Sequence, residues 1–88
     1  MRNNNTGIHS NTEGRASELR GIFAQRLHEA RKSKGITGEA LAFELDIAPC
    51  SVYWWESGRN LPRTERLIEI AIALGVSLDW LCGLEDAE

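Results

Sequence analysis

The chain of 88 residues has little cysteine, little proline and no long apolar run. Its two cysteines, Cys50 and Cys82, are too few for a disulfide framework or a four-ligand zinc site, and they lack the Cys-x-x-Cys spacing. No segment approaches the roughly 18 to 20 apolar residues that a membrane span needs. Residues 1–16 contain no apolar core of a secretory signal. We therefore expect a cytoplasmic protein with free thiols, no metal ion and no cofactor.

The sequence also lacks the residue sets on which common enzymes depend. We find no combination of serine, histidine and acid, no glycine-rich loop that could cradle a phosphate, and no pair of carboxylates with a cleft between them. These absences predict a binding protein rather than an enzyme.

Positive charge is missing from the last quarter of the chain. Residues 67–88 carry five acidic residues and neither lysine nor arginine, whereas residues 15–66 carry nine basic and seven acidic residues. The net charge of −3 thus combines a slightly basic middle with an acidic end. A polyanion would have to bind the middle of the chain, with the C-terminal part pointing away from it.

Apolar residues recur at spacings of three and four along most of the chain, which predicts an all-α domain without strands. Glycines, prolines and capping residues divide the pattern into five short helices. The predicted helices run from Ser17 to Lys34, from a cap at Thr37 to Leu45, from Pro49 to Ser57, from Leu67 to Leu74, and from Leu78 to Cys82.

The ends of the chain differ from this domain in composition. Residues 1–16 are rich in Asn, Ser, Thr and Gly and show no periodicity, so we expect a disordered N-terminal tail. Residues 17–83 are predicted to form one compact domain, and residues 84–88 an acidic C-terminal tail.

Three consecutive aromatic residues, Tyr53, Trp54 and Trp55, stand in the predicted third helix. At 100° per residue, Trp55 shares one side with Val52, while Tyr53 and Trp54 share the other side with Cys50. Periodicity in the neighbouring helices favours Val52 and Trp55 as core residues, so Tyr53 and Trp54 are expected to face outward. An exposed aromatic pair is unfavourable unless something covers it. Either another part of the chain packs over the pair, or the pair contacts a partner.

Four segments carry a resemblance to a known family: LHEARKSKGIT, EALAFELDIA, SVYWWESGRNLP and LIEIAIALGVSLDWL. In this order and spacing they resemble the phage-repressor/Cro-like (XRE) helix-turn-helix family, from Phe23 to Leu81. The resemblance implies a compact five-helix, lambda-repressor-like domain. It also implies a sequence-specific DNA-binding transcriptional regulator that places the third helix, residues 49–57, in the major groove.

Carried over by position, the resemblance implies a DNA-binding surface around the third helix. The residues of this surface are Thr37, Gly38, Pro49, Cys50, Ser51, Tyr53, Trp54, Arg59, Asn60 and Arg63. Thr37, Arg59, Asn60 and Arg63 would bind phosphates together with the amide ends of the second and third helices. Tyr53 and Trp54 would contact thymine methyl groups and deoxyribose, with DNA shape contributing to specificity.

The resemblance further implies that Glu56 pairs with an arginine of the first helix, and spacing favours Arg26. Arg31, Lys32 and Lys34 are expected to form a solvated helix end.

A single reading helix contacts few base pairs, so a homodimer on double-stranded DNA is expected. The candidate dimer residues are Leu78, Trp80, Leu81 and Leu84, in the segment without basic residues. The protein would then be a small repressor of a phage, prophage or mobile-element operon. The alternative is a helix-turn-helix antitoxin, or a protein-binding module that uses Tyr53 and Trp54 as its interface.

Overall fold

The chain forms five helices in the computed structural model, which describes residues 6–85 and the side chains of residues 14–85. The helices are α1 (Thr6–Lys34), α2 (Gly38–Leu45), α3 (Pro49–Glu56), α4 (Thr64–Leu74) and α5 (Leu78–Leu81). No strand occurs among residues 6–85, so the predicted all-α fold is confirmed. None of the helices in this part of the chain is long and apolar enough to cross a membrane.

The first helix begins at Thr6, earlier than the predicted start at Ser17. The prediction of a disordered tail is therefore wrong for Thr6–Ala16, while residues 1–5 lie outside the described residues. The first proline of the chain is Pro49, so no residue before it removes a backbone donor, and Ser17 continues a helix that has already begun. Of the predicted acidic tail, residues 86–88 also lie outside the described residues.

The core lies where α1 packs against α3, α4 and α5, and where α2 packs against α3 and α4. Its largest fully buried side chains are Leu27, Leu41, Ile70 and Leu81. Around them lie Phe23, Ala30, Ala42, Leu45, Val52, Trp55, Ala71 and Leu74. The prediction that Leu81 contributes to a dimer surface is wrong, because this side chain fastens α5 to the core and has no exposed area.

Short turns set the relative positions of α2 and α3. The Thr37 hydroxyl caps α2 as predicted, because its oxygen accepts a hydrogen bond of 3.0 Å from the Ala40 amide. Asp46 ends α2 in the left-handed conformation, with φ of 60°. Three residues later the chain enters α3 at Pro49, whose missing amide hydrogen matters little in the first turn of a helix.

Candidate nucleic-acid interface

The two sides of α3 have opposite environments, as the sequence predicts. Val52 and Trp55 are buried, with exposed fractions of 2% and 7%. Tyr53 is 69% exposed, Trp54 is 36% exposed and Cys50 lies at the surface. Arg59 lies over one face of Trp54, while Tyr53 and Cys50 leave the rest of the outward side of α3 exposed.

The N-terminal end of α2 borders the outward side of α3. A Cβ atom at Gly38 would lie 3.5 Å from Val52 Cγ1, which is ordinary van der Waals contact. A shallow depression between the two helices is lined in part by Gly38, Pro49 and Tyr53. Thr37, which is exposed, stands next to this depression. The structure therefore brings Gly38, with Thr37 beside it in the chain, close to Pro49 and Tyr53.

Arg59 lies against this surface from the loop that follows α3. Its guanidinium carbon is 5.5 Å from the centroid of the Trp54 ring, a cation–π arrangement. The Arg59 amide donates to the Trp54 carbonyl at 3.0 Å, and the Ser57 hydroxyl donates to the same carbonyl at 3.0 Å. Asn60 and Arg63 are exposed further along the loop. Neither of them takes part in the hydrogen bonds or stacks that the described residues make with Trp54.

Arg31, rather than Arg26, pairs with Glu56 at the end of α3. Its Nε donates to Glu56 Oε2 at 2.6 Å and its Nη2 donates to Oε1 at 3.0 Å. Its Nη1 also donates to the Ile36 carbonyl at 2.8 Å. One guanidinium thus joins α1, the α1–α2 loop and α3, which positions α3 relative to the N-terminal end of α2.

The Arg31–Glu56 pair is sheltered from water. The exposed fractions of the two side chains are 13% and 15%. Burial alone acts to raise the pKa of Glu56, but the hydrogen bonds from Arg31 and His28 outweigh it and hold the pKa below its usual value. The hydrogen bond to Glu56 raises the pKa of Arg31 further above its ordinary value. Both groups are therefore charged at neutral pH.

The prediction of Arg26 in this pair is wrong because Arg26 faces α5. Its Nη1 donates to the Trp80 carbonyl at 2.6 Å, and its guanidinium lies 4.7 Å from the centroid of the Trp80 ring. A helical wheel centred on the core residue Leu27 separates the two arginines, because Arg31 lies about 40° from Leu27 and Arg26 about 100° away on the other side. The expectation that Arg31 belongs to a solvated helix end is also wrong, because its side chain is sheltered from water in the pair with Glu56.

The predicted dimer residues other than Leu81 lie at the surface to different degrees. Trp80 is half-buried beneath Arg26, Leu78 is partly exposed, and Leu84 is 76% exposed. Leu84 borders an apolar groove that also contains Leu19, Phe23, Leu61, Pro62, Leu67 and Cys82. Sequence reasoning missed this groove, because its residues are far apart in the chain and only folding brings them together.

Two further exposed apolar side chains were not anticipated. Phe43 on α2 is 89% exposed, and Ile72 on α4 is 75% exposed. Among the described residues, no three side chains of His, Cys, Asp or Glu come together as a metal site would require.

The two short helices α2 and α3 are joined by a tight turn, and α3 is buried on its inner side and exposed on its outward side. This arrangement defines a helix-turn-helix domain. The chain belongs to the helix-turn-helix family, whose model matches residues 27–81. The resemblance to phage repressors is confirmed, because the chain is 42% identical over 59 residues to the cryptic phage CTXphi transcriptional repressor RstR of Vibrio cholerae. That match covers 67% of this chain and 53% of the repressor.

Other relatives support the same family. The chain is 34% identical to the uncharacterized HTH-type transcriptional regulator YobD of Bacillus subtilis over 74% of this chain and 58% of that protein. The crystal structure of the restriction-modification controller protein C.AhdI from Aeromonas hydrophila superposes with a TM-score of 0.66 at 31% identity, over 70% of this chain and 94% of that one.

These relatives are regulators of transcription rather than enzymes, in agreement with the interpretation of the sequence. The chain spans slightly more than half the length of the two curated relatives.

Proposed function

We propose that this chain binds double-stranded DNA in a sequence-specific manner and regulates transcription, with α3 in the major groove. The observation that carries the proposal is the open outward side of α3, bordered by the N-terminal end of α2 and by the basic loop after α3. In helix-turn-helix proteins this side of the second helix of the motif meets base edges. Thr37, Arg59, Asn60 and Arg63 are the proposed phosphate contacts, since all four are exposed and belong to the segments that precede α2 or follow α3.

The distribution of charge supports this orientation. Two acidic residues of the C-terminal part, Asp79 and Glu85, lie in α5 and shortly after it. This region packs on α1 and α4, whereas α3 packs on α1 and α2. The negative charge of these two residues therefore lies away from the proposed DNA side, whereas Glu39 borders the depression between α2 and α3.

A salt titration of DNA binding tests the proposal. Each phosphate contact that is lost should reduce the slope of log K against log salt by about 1, because one fewer counterion is released. We expect this reduction for Arg59→Ala and for Arg63→Ala, together with weaker binding to all duplexes. Arg15→Ala removes the same charge from an exposed position of α1 and serves as the matched control. If all three variants changed the slope equally, the proposed DNA side would be wrong.

We further propose a homodimer, whose two α3 helices would read half-sites about 34 Å apart. The apolar groove beside Leu84 supports a contact between copies there, since 76% of this leucine is exposed to water in the single chain. In sedimentation velocity, Leu84→Ser should shift the protein toward monomer. Phe43→Ser, which changes the most exposed large apolar residue on another helix, should leave the sedimentation coefficient unchanged. The reverse result would move the dimer contact to α2.

The aromatic character of Tyr53 and Trp54 also favours a second candidate, a module that binds another protein and no DNA. The two candidates differ in the salt titration, because a protein-binding module would bind no duplex with a measurable salt slope. The regulatory role within a phage or mobile-element operon is part of the main proposal and is supported by the similarity to a phage repressor.

A further inference from the structure

The outward side of α3 carries no side chain that could form paired hydrogen bonds with a base. Its residues are Pro49, Cys50, Ser51, Tyr53 and Trp54. Bidentate recognition of guanine or adenine needs a guanidinium, an ammonium or a carboxamide, and none of these five residues has one. The Ser51 hydroxyl, which is half-exposed, both donates and accepts and therefore discriminates little between bases.

The single charged residue of α3 is also unable to contact a base. Glu56 is bound through both carboxylate oxygens to Arg31, and its Oε1 lies 2.9 Å from His28 Nδ1. Only 15% of its side chain is exposed. The surface that α3 presents is consequently aromatic and apolar, with isolated polar atoms at its edge.

Arg59 holds one of the two aromatic rings in place. Its guanidinium covers one face of the Trp54 indole at 5.5 Å, and the Trp54 carbonyl is fixed by Arg59 and Ser57. The exposed remainder of Trp54 adjoins Tyr53, which is 69% exposed. The Trp54 ring under Arg59 and the exposed Tyr53 ring therefore give this side of α3 an aromatic surface next to a cation that can bind a phosphate.

In the major groove, the C5-methyl group of a pyrimidine is the apolar feature that distinguishes one base pair from another. We infer that this chain selects its operator through C5-methyl groups packed against Tyr53 and Trp54, rather than through paired hydrogen bonds. The inference rests on the proposed function, and it names the chemical group that the proposed DNA side selects. Arg59 has a positioning role here, because it acts on the base contact through Trp54.

Two bases can present this group, namely thymine and 5-methylcytosine. Both place the methyl group at the same position of the groove, so the aromatic surface would accept either. Synthetic DNA separates the two sources, because deoxyuridine lacks only the methyl group of thymidine, and 5-methyldeoxycytidine adds only that group to deoxycytidine.

The experiment begins with selection of bound duplexes from a random pool by the full chain. The selected duplex is then made in three forms: unmodified, with deoxyuridine in place of thymidine, and with 5-methyldeoxycytidine in place of deoxycytidine. Burial of one methyl group changes affinity about fourfold. If thymine is the source, deoxyuridine should weaken binding about fourfold for each contacted position. If 5-methylcytosine is the source, methylation should strengthen binding by a similar factor.

Variants of the aromatic pair distinguish methyl contact from an effect of the methyl group on DNA shape. Tyr53→Phe keeps the ring and should preserve the ratio of affinities for methylated and unmethylated DNA. Tyr53→Ala and Trp54→Ala should bring the ratio toward one, while circular dichroism confirms that these surface variants are folded. A ratio that remained unchanged in both alanine variants would overturn the inference.

The outcomes separate this inference from the proposed function. Selection of a duplex whose affinity responds to neither modification would overturn methyl selection and leave DNA binding intact. Failure to enrich any duplex would overturn both.

Discussion

The inner and outer sides of α3 differ, and each side carries one of two tryptophans that are neighbours in the chain. Trp55 is buried in the core with 7% exposure, whereas Trp54 is 36% exposed and stacks with Arg59. The same residue type therefore meets two different constraints. The inner position must fill a fixed space in the core, while the outer position is proposed to fit a partner that is absent when the chain folds. Stability measurements and binding measurements should consequently respond to opposite sides of this helix.

The largest effect should come from replacing the inner tryptophan. Trp55→Ala leaves a cavity in the core and should lower the free energy of unfolding by about 3–5 kcal/mol. Trp54→Ala removes surface area and one cation–π contact, so its effect on stability should stay below about 1 kcal/mol. Urea denaturation followed by circular dichroism measures both values.

Trp55→Phe is the milder inner variant if the alanine variant does not fold. It retains a large apolar ring and should lie between the wild type and Trp55→Ala in stability. Equal losses for Trp54→Ala and Trp55→Ala would show that the two sides of α3 are not distinct in solution.

The direction of each α3 residue could be predicted because the helical rotation of 100° per residue fixes which of its eight residues share a side. Val52 and Trp55 had one possible inner side once the neighbouring helices supplied a core. The helix of four residues, Leu78–Leu81, offered no such guide, since a single turn does not define a face. Leu81, its most buried residue, was accordingly predicted to lie at a dimer surface.

Long-range pairing was also beyond the sequence. The choice between Arg26 and Arg31 depends on which side of α1 faces α3 and which faces α5, and that is a property of the tertiary structure. The start of α1 at Thr6 could not be predicted, because this polar segment has no apolar stripe that would indicate a helix. Thr37 and Pro49 were predicted correctly as helix starts, since capping is decided by local chemistry.

A second prediction concerns the Arg31–Glu56 pair at the C-terminal end of α3. Arg31→Ala removes three hydrogen bonds and leaves the Glu56 carboxylate sheltered without its main partner. We expect a loss of about 2 kcal/mol in the free energy of unfolding. Lys32→Ala, at an exposed neighbouring position, should change stability by less than about 0.5 kcal/mol. A double-mutant cycle with Glu56→Ala isolates the pair itself.

The contribution of this pair should depend on pH in the acidic range. The pKa of Glu56 is lower in the folded chain than its ordinary value, so the folded state favours the carboxylate. The stabilisation is then complete above the ordinary glutamate pKa of about 4.3 and is lost as the pH falls through the lower folded value. The difference in stability between wild type and Glu56→Gln should therefore shrink below about pH 4. A difference that stayed constant to pH 2 would show that the carboxylate is not selectively stabilised by folding.

The smallest expected effect lies at Gly38, where the end of α2 meets α3. A Cβ atom at this position would be 3.5 Å from Val52 Cγ1, so Gly38→Ala fits without displacement. Alanine also restricts the unfolded chain, and we expect a gain of roughly 0.4–1 kcal/mol in stability.

Gly83→Ala provides the opposite control in the same measurement. Gly83 has a φ of +80°, and a Cβ atom there would collide with the Ile22 side chain. This variant should be less stable than the wild type, since alanine disfavours the left-handed conformation. If Gly38→Ala instead destabilised the chain as Gly83→Ala does, α2 would lie closer to α3 than the contact with Val52 indicates.

Gly38→Ala also tests the proposed DNA side. If this variant raised stability but weakened DNA binding, the N-terminal end of α2 would belong to the binding side of the motif. The added methyl group would then stand between the helix and the duplex.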